Sequence, residues 1–284
     1  LPELDAERLA ELRTLGEIVV YMQAQMNSDS NGPSELAIQP EMKSQGAEFE
    51  PAPSAIVELV SLNSVNQIAI AGKDRKALVV DDGSGAAANL TTLLIGEAWQ
   101  VVVLKPKWLN VQSKKAFDKE AKVIELTDVE EAAVENIFQT EAQFSAVFVL
   151  NEKAQQAEIH YQESSKKSLQ LTFLLAKYSK LKTVTNEQSR ASFIVVTRQG
   201  GTLGFVEKNA QAPTKTDLVQ GGQAGLVKTM SHEWPNVFCR IVDLSSKLSA
   251  DKSAQTIVDE FKDVDMSIKE VAHDTDKLAL GGRL

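Results

Sequence analysis

Short apolar runs and amphipathic stretches alternate from about residue 55 to the end of the chain. Bounded apolar runs of about four to eight residues predict buried strands, and apolar residues recurring every three or four positions predict helices. The predicted strands are 56–62, 76–82, 100–104, 145–150, 192–197, 237–244 and an extended stretch at 269–272. The predicted helices are 86–98, 129–138, 164–180, 217–233 and 251–262. This alternation predicts an α/β fold, a Rossmann-like doubly wound parallel sheet covered on both faces.

Two segments of different character precede this alternating region. Residues 1–26 have the spacing of an amphipathic helix, since their Leu, Val and Met residues recur at threes and fours. Residues 27–54 collect Pro, Gly, Ser and acidic residues and are predicted to be a linker. The apolar stripe of the helix has two interpretations of equal weight: a docking or dimerisation element, or a helix that folds back on the main domain. The predicted domains are therefore helix 1–26, linker 27–54 and a Rossmann-like domain over 55–284.

Composition narrows the classes of partner. Of the 284 residues 43% are hydrophobic and 24% charged, which is ordinary for a soluble globular protein. The formal net charge of −9 argues against a nucleic-acid or anionic-membrane partner, since both select for clustered Lys and Arg. No apolar run reaches the roughly eighteen residues of a membrane span. The absence of Met at the start is expected of a fragment of a longer protein.

The single cysteine, Cys239, lies in an apolar run and is expected to be a small buried hydrophobe rather than a catalytic thiol. One thiol cannot form an internal disulfide, so a reducing, cytoplasmic location is expected.

The turn after the second predicted strand is the place where a nucleotide would bind. Gly83-Ser84-Gly85, followed by alanines, matches the loose pattern of two glycines and a third small residue. Glycine serves there because the backbone must approach a pyrophosphate at a helix N-terminus. Asp81 and Asp82 weaken the match by placing negative charge where the phosphates would lie, although Lys105 or Lys107 is a candidate for holding a 2′-phosphate. The favoured interpretation is a tight turn kept for packing.

A second doubly wound fold, the phosphoacceptor receiver, also resembles this region through Val79-Val-Asp-Asp82. Its paired acids hold Mg²⁺ beside a phosphorylated Asp that ends the third strand. Here that strand ends in Asn151, which has no carboxylate to accept the phosphoryl group. Thr197 fits the receiver pattern, but no Lys ends the strand that closes at Leu244, so the receiver is disfavoured.

Helix 217–233 resembles the helix of short-chain dehydrogenases that carries their catalytic Tyr-x-x-x-Lys. Aligning Gly225-Leu226 with the small-Leu pair of that helix puts Thr216 at the Tyr position and Gln220 at the Lys position. Threonine is too weak an acid for the proton transfer, and glutamine lacks the cation that activates the tyrosine and holds the ribose. Thr197, at the end of the preceding strand, would be the only substitute for the expected serine pair. The resemblance therefore implies no catalytic and no cofactor-binding residue in this chain.

The three histidines do not suggest a metal or acid–base site. His232 and Glu233 are helix neighbours that point about 100° apart, so a solvated or capping role is expected. His160 and His273 are isolated, and no two histidines have a metal-ligand spacing with Cys239.

The order of motifs is similar to the structural subdomain of polyketide-synthase ketoreductases, with residues 225–235 followed by the strand at 239–244. In that family the ketoreductase comprises two Rossmann-like halves, of which the N-terminal half is truncated and non-catalytic. Its opening strand resembles 56–62, and its exit strand resembles 268–272 with the trailing residues 281–284. The resemblance covers the whole predicted domain.

Leu12–Met22 resembles the helix that precedes the ketoreductase in bacterial omega-3 polyunsaturated fatty acid synthases, which are polyketide-like multienzymes. The resemblance implies that a catalytic half, with its NADPH loop and Ser-Tyr-Lys set, begins just after Leu284. This chain would then brace that half, which reduces β-ketoacyl chains on carrier proteins. The expected partners are the catalytic half, the acyl carrier protein domains of the same synthase and a second copy of the chain.

Two other hypotheses stay open. One is a free-standing, divergent NAD(P)-dependent short-chain reductase that uses Gly83-Ser84-Gly85. The other is an interaction module whose dimer seam is the helix at 3–26.

Overall fold

The computed structural model describes residues 58–70, 75–141, 143–153, 162–181, 190–205, 217–274 and 283–284. The chain divides into two units, Leu1–Ile56 and Val57–Leu284, and all of the described residues belong to the second. The predicted helix at 1–26 and linker at 27–54 lie outside the described residues, as do Thr216 and His160.

Seven parallel strands form one sheet in the order β3-β2-β1-β4-β5-β6-β7, which confirms the predicted α/β class. The strands are β1 (Lys76–Val80), β2 (Gln100–Pro106), β3 (Lys122–Leu126), β4 (Ala146–Leu150), β5 (Ala191–Thr197), β6 (Val237–Leu244) and β7 (Glu270–His273). Every residue of β4, β5 and β6 is buried, because both faces of a parallel sheet are covered by helices.

Five helices cover the sheet within the described ranges: α1 (Ala86–Gly96), α2 (Glu131–Thr140), α3 (Glu163–Tyr178), α4 (Leu218–Glu233) and α5 (Ala250–Phe261). Successive strand residues point to opposite faces, so Val79 joins the core under α1 and α5 while Leu78 joins the core under α2, α3 and α4. All five helices lie within two residues of their predicted bounds. None of the described helices combines the length and apolar composition of a membrane span.

Two sequence predictions about strands are wrong. The structure has a strand at Lys122–Leu126 that the pattern did not indicate, since only Leu126 in it is buried. The described part of the strand expected at 56–62 is irregular, and the Leu62 amide instead donates to the carbonyl oxygen of Arg283 at 2.8 Å. Residues at the end of the chain lie along β7, where the Ala272 and Leu284 amides each donate to the other's carbonyl at 2.9 Å.

A buried ionic cluster joins β6, β7, α5 and the chain end. The Arg240 guanidinium contacts Glu260 at 2.8 Å and Asp263 at 2.9 Å, and Arg283 contacts Glu260 at 2.7 Å. Nε2 of His273 lies 2.8 Å from Glu260, so the expectation that His273 is isolated is wrong. The sequence analysis compared the position of His273 only with those of the other histidines and the cysteine. Its partner, Glu260, is a carboxylate on the preceding helix α5.

Candidate functional site

The strand order reverses beside β1, whose neighbours are β2 and β4. In an open α/β sheet, ligands bind in the crevice at the carboxyl ends of the strands at this switch point. The crevice here is formed by the turn Asp81–Gly85 and by residues 151–153 after β4. This crevice is the candidate functional site.

The two aspartates before the glycine turn cap its backbone amides. Oδ1 of Asp81 accepts from the Gly83 amide at 3.0 Å, and Oδ1 of Asp82 accepts from the Ser84 amide at 3.1 Å. The Ser84 hydroxyl donates to the other Asp82 oxygen at 2.6 Å and accepts from the Ala86 amide at 3.2 Å. These backbone donors are the groups with which such a turn holds a phosphate. Here they are hydrogen-bonded within the turn.

The charge of Asp82 is paired. An Arg198 nitrogen lies 3.1 Å from Asp82 Oδ2, both side chains are buried, and the same guanidinium donates to Ser253 at 3.2 Å. Burial raises the pKa of Asp81, and the neighbouring charge of Asp82 raises it further, against the hydrogen bond from Gly83. The sequence analysis places two negative charges at the turn, and the structure adds that Arg198 is paired with one of them, Asp82. The Gly83 and Ser84 amides, which are already hydrogen-bonded, are a second obstacle to a phosphate.

The segment after β2 lies over the glycines. Gly83 and Gly85 have φ angles of 70° and 88°, a left-handed region that favours glycine. A Cβ on Gly83 would lie under 3.0 Å from the carbonyl oxygen of Val111, and one on Gly85 would lie 3.2 Å from Oγ of Ser113. Gly83 thus admits this chain's own backbone, and Gly85 admits the Ser113 side chain, where a dinucleotide turn would admit a ligand.

A cavity of about 450 Å³ remains beside the turn. It is lined by the turn, Val111, Ser113, Glu152 and Lys153. The Glu152 carboxylate accepts from the Asn110 side-chain amide at 2.9 Å and from its backbone amide at 3.1 Å. Nζ of Lys153 donates to the Ser246 carbonyl at 2.7 Å, and burial together with the charge of Arg198 lowers its pKa.

The lysines considered for a 2′-phosphate lie on β2 or just after it. Lys105 is within β2, which runs to Pro106, and is in register with Glu125 of β3. Nζ of Lys107 contacts the Glu125 carboxylate at 2.5 Å. Glu125 therefore provides a carboxylate partner beside both lysines.

Gln220, at the position aligned with the dehydrogenase lysine, is buried and joins three elements. Its Oε1 accepts from the Arg198 amide at 2.7 Å, and its Nε2 donates to the Glu152 carbonyl at 3.1 Å. One turn later, Gln223 accepts from Asn151 at 2.5 Å and donates to Thr172 at 3.2 Å. Both glutamines thereby fix α4 against the ends of β4 and β5 and against α3.

Thr197, the candidate substitute for the serine pair, is buried and donates to Oδ1 of Asp243 at 2.9 Å. The same carboxylate accepts from the backbone amides of Gln199, Thr202 and Leu203 at 2.6 to 2.9 Å. Burial raises the pKa of Asp243 despite these hydrogen bonds. The threonine hydroxyl therefore holds the loop after β5 and does not face the crevice as a free acid.

The remaining candidates lie away from the crevice. His232 and Glu233 are exposed at the end of α4, as expected. Cys239 is buried in β6, where burial raises its pKa to about 12, in keeping with an inert thiol. No cluster of His, Cys, Asp and Glu suited to a metal ion occurs among the residues the structure describes.

The chain was compared with known proteins, first by its sequence and then by its fold. No protein-family model matches the chain. The sequence is 28% identical over 277 residues to a polyunsaturated fatty acid synthase subunit from Thraustochytrium sp. (strain ATCC 26185 / S-3). The match covers 94% of this chain and 10% of the relative, so the chain spans about a tenth of that protein's length.

Two solved structures share the architecture. Cj0485 dehydrogenase has a TM-score of 0.50 at 11% identity, over 71% of this chain and 92% of that one. A short-chain dehydrogenase/reductase family oxidoreductase from Burkholderia thailandensis has a TM-score of 0.50 at 11% identity, over 69% and 88% of the two chains. This chain has the fold of a short-chain dehydrogenase. At such identity the likeness shows the fold alone.

Within this dehydrogenase fold, the sequence interpretation missed Arg198, Glu152 and Asn110. Arg198 and Glu152 directly follow, or nearly follow, an apolar strand, and a charged residue at that point is the available signal. Their partners come from distant parts of the chain, which spacing does not reveal.

Proposed function

We propose that this chain is the non-catalytic structural half of a β-ketoacyl reductase domain in a polyunsaturated fatty acid synthase. In this proposal it braces an NADPH-dependent catalytic half that reduces β-ketoacyl chains bound to carrier proteins of the same synthase. The similarity to one chain of such a synthase supports the setting, and the short-chain-dehydrogenase fold supports the class of domain.

One observation carries the non-catalytic part of the proposal. The groups that would bind the cofactor in such a fold, the turn amides and the residue at the lysine position, are hydrogen-bonded inside this chain. A phosphate would have to displace Asp81, Asp82 and the backbone at Val111. Binding would require breaking these hydrogen bonds, and each buried donor or acceptor left without a partner costs about 1–3 kcal/mol.

Titration of the full 284-residue chain with NADPH by calorimetry tests this. We expect no heat of binding and no shift of the unfolding temperature at cofactor concentrations up to about 1 mM, whereas a bound ligand at about 100 times its Kd would stabilise the fold by roughly 2.7 kcal/mol. Micromolar binding would overturn the proposal in favour of a divergent NAD(P)-dependent reductase.

A second test uses the parent synthase. Ser84→Ala in the turn is expected to leave the KM for NADPH of the β-ketoacyl reductase unchanged, because the cofactor lies in the other half. Thr229→Ala on the exposed face of α4 is the matched control for loss of a hydroxyl. A several-fold rise in KM for Ser84→Ala alone would mean that the cofactor contacts this turn.

A further inference from the structure

A second cavity, of about 530 Å³, is lined by α4, β6, β7, the loop after β5 and the segment 58–62. Its volume is in the range of small-molecule ligand sites. It shares no lining residue with the cavity beside the glycine turn, so it is a separate site. We call it the α4–β7 cavity.

The lining of the α4–β7 cavity is mostly apolar. Ile241 of β6 and Ile268, just before β7, line it from the sheet, and Leu203 and Phe205 line it from the loop after β5. Phe205 is 43% exposed, and Val60, which also lines the cavity, is 60% exposed. A ligand that covers these side chains removes their apolar surface from water, so the lining favours an apolar ligand.

The cavity has space beside α4 because the lining residues Gly221 and Ala224 are small. A Cβ on Gly221 would meet only the side-chain nitrogen of Gln199, at an ordinary contact distance of 3.6 Å, and Gly221 has no positive φ angle. Packing within the chain therefore does not require glycine there, and alanine would be the better helix former. A larger side chain would instead occupy the cavity.

The cavity extends along α4. Its lining residues Gly221 and Lys228 are seven residues apart, which corresponds to about 10 Å along the helix axis. An apolar space of this length accommodates an extended hydrocarbon chain.

The polar groups at the cavity do not offer a free cation to a ligand. Nζ of Lys228 lies 3.1 Å from Glu270, and Glu58 adds a second negative charge to the lining. The buried Thr197 and Gln199 side chains donate hydrogen bonds within the chain. Among the described lining residues every positive charge is thus paired, so an uncharged chain fits better than a carboxylate.

We propose that the α4–β7 cavity binds the acyl chain of a neutral acyl thioester. The cavity and its lining are independent of the role proposed above, whereas the choice of a thioester-linked acyl chain rests on the proposed function, in which such chains are attached to carrier proteins. The structural half would then hold part of the chain that the other half reduces.

Equilibrium dialysis of the full 284-residue chain against octanoyl pantetheine thioester tests the cavity. We expect a Kd in the tens of micromolar and no binding of pantetheine alone, because burial of the hydrocarbon supplies the affinity. The butanoyl thioester buries fewer methylene groups and should bind at least about tenfold more weakly. No binding of the octanoyl thioester at about 1 mM, or equal affinity for both thioesters, would overturn the proposal.

Two glycines of α4 form a matched pair for locating the site. Gly221→Leu puts a side chain into the cavity and should raise the Kd at least about tenfold. Gly225→Leu makes the same change one turn later, at an exposed position outside the lining where a Cβ would meet nothing within 4 Å, and should change the Kd by less than about twofold. Equal effects of the two substitutions on the Kd would contradict binding in this cavity.

A substitution in the loop after β5 tests the site without altering α4. Phe205→Ser removes an exposed aromatic side chain from the lining and should raise the Kd roughly tenfold. Phe173→Ser, at a 53% exposed position of α3 outside the lining, is its control and should change the Kd by less than about twofold. A Kd that neither Gly221→Leu nor Phe205→Ser raises would overturn the proposal.

Octanoate tests whether the ligand is neutral. It should bind at least about threefold more weakly than the thioester, because Lys228 is paired and Glu58 repels an anion. Tighter binding of octanoate that is lost in Lys228→Met would make a free fatty acid the ligand and overturn the thioester. Absence of thioester binding would leave the bracing role intact, whereas micromolar binding of NADPH would overturn that role and leave this cavity unaffected.

Discussion

Asp82, Gln220 and Asp243 are buried side chains at the carboxyl edge of the sheet, and each accepts a hydrogen bond from a backbone amide of that edge. A buried polar group left without a partner costs about 1–3 kcal/mol, so these contacts stabilise the fold. The same contacts use up donors that a ligand would need. At the scale of single residues, the same hydrogen bonds therefore stabilise the fold and remove the donors of a ligand site.

Gly83→Ala tests the close approach at the turn. A Cβ there would collide with the Val111 carbonyl and would sit at a φ of 70°, so we expect the free energy of unfolding to fall by roughly 3 kcal/mol. Urea denaturation monitored by circular dichroism measures the loss. Gly96→Ala, which meets open space, should be neutral or stabilising by up to about 1 kcal/mol. Equal effects of the two substitutions would show that the segment at Val111 does not cover the turn.

Gln220→Met tests the structural role of the residue at the lysine position. Methionine has a similar size but leaves the Arg198 amide and the Glu152 carbonyl without partners, so the free energy of unfolding should fall by about 2–3 kcal/mol. Gln255→Met on the exposed side of α5 should change it by less than about 0.5 kcal/mol. Chemical denaturation of both variants makes the comparison, and a tolerated Gln220→Met would refute the role.

Sequence patterns find the glycine turn and the two aspartates, but not what covers or neutralises them. Val111 lies in the loop after β2 and Arg198 directly after β5. Their local sequence does not indicate that they contact Gly83 and Asp82. The missed neutralisation of Asp82 follows from this.

At the scale of elements, agreement between pattern and structure depends on burial. The central strands are fully buried apolar runs, and their burial alone accounts for the pattern. β3 is an edge strand with mostly exposed side chains, so its identity comes from backbone pairing to β2 rather than from its own residues. Residues 58–62 have strand-like apolar spacing without a neighbouring strand, and Leu62 instead makes one backbone hydrogen bond to Arg283 near the chain end.

Arg283→Met tests how the chain end is held against β7. Methionine fills the space but leaves Glu260 and Asp263 with fewer cationic partners in a buried cluster, and losing one partner of such a cluster costs about 3–5 kcal/mol. Hydrogen exchange at Ala272 and Leu284, whose amides pair, should accelerate more than exchange in β4. Lys252→Met, at an exposed position of α5, is the control and should change neither the stability nor these exchange rates. If hydrogen exchange accelerated equally in β4 and at Ala272 and Leu284, Arg283 would not be holding the chain end locally against β7.

At the scale of the whole molecule, the ionic cluster links stability to pH. Burial raises the pKa of Glu260, but hydrogen bonds from His273 and Arg283 and their charges outweigh it and hold this pKa at about 2. A carboxyl whose pKa is depressed by folding stabilises the protein fully above its unfolded pKa of about 4.3 and loses that contribution as the pH falls towards 2. The contribution is on the order of 3 kcal/mol.

The free energy of unfolding should therefore decline between about pH 4.5 and pH 2, measured by urea denaturation across that range. Glu260→Gln should be less stable at pH 7 and should show a shallower decline, because the titrating group is gone. The raised pKa values of Asp81 and Asp243 act in the opposite direction, and the comparison of the two proteins cancels them. Parallel pH profiles for both proteins would contradict the role of Glu260.

The sequence by itself determined the α/β class, the five helices that cover the sheet and the central strands, because apolar periodicity records which face of each element is buried. It also determined where a nucleotide turn would be. Only the tertiary structure decided that this turn is filled from within, since the covering backbone and the neutralising guanidinium arrive from distant segments. Local patterns report burial along one element, whereas the chemistry of a site depends on which elements meet.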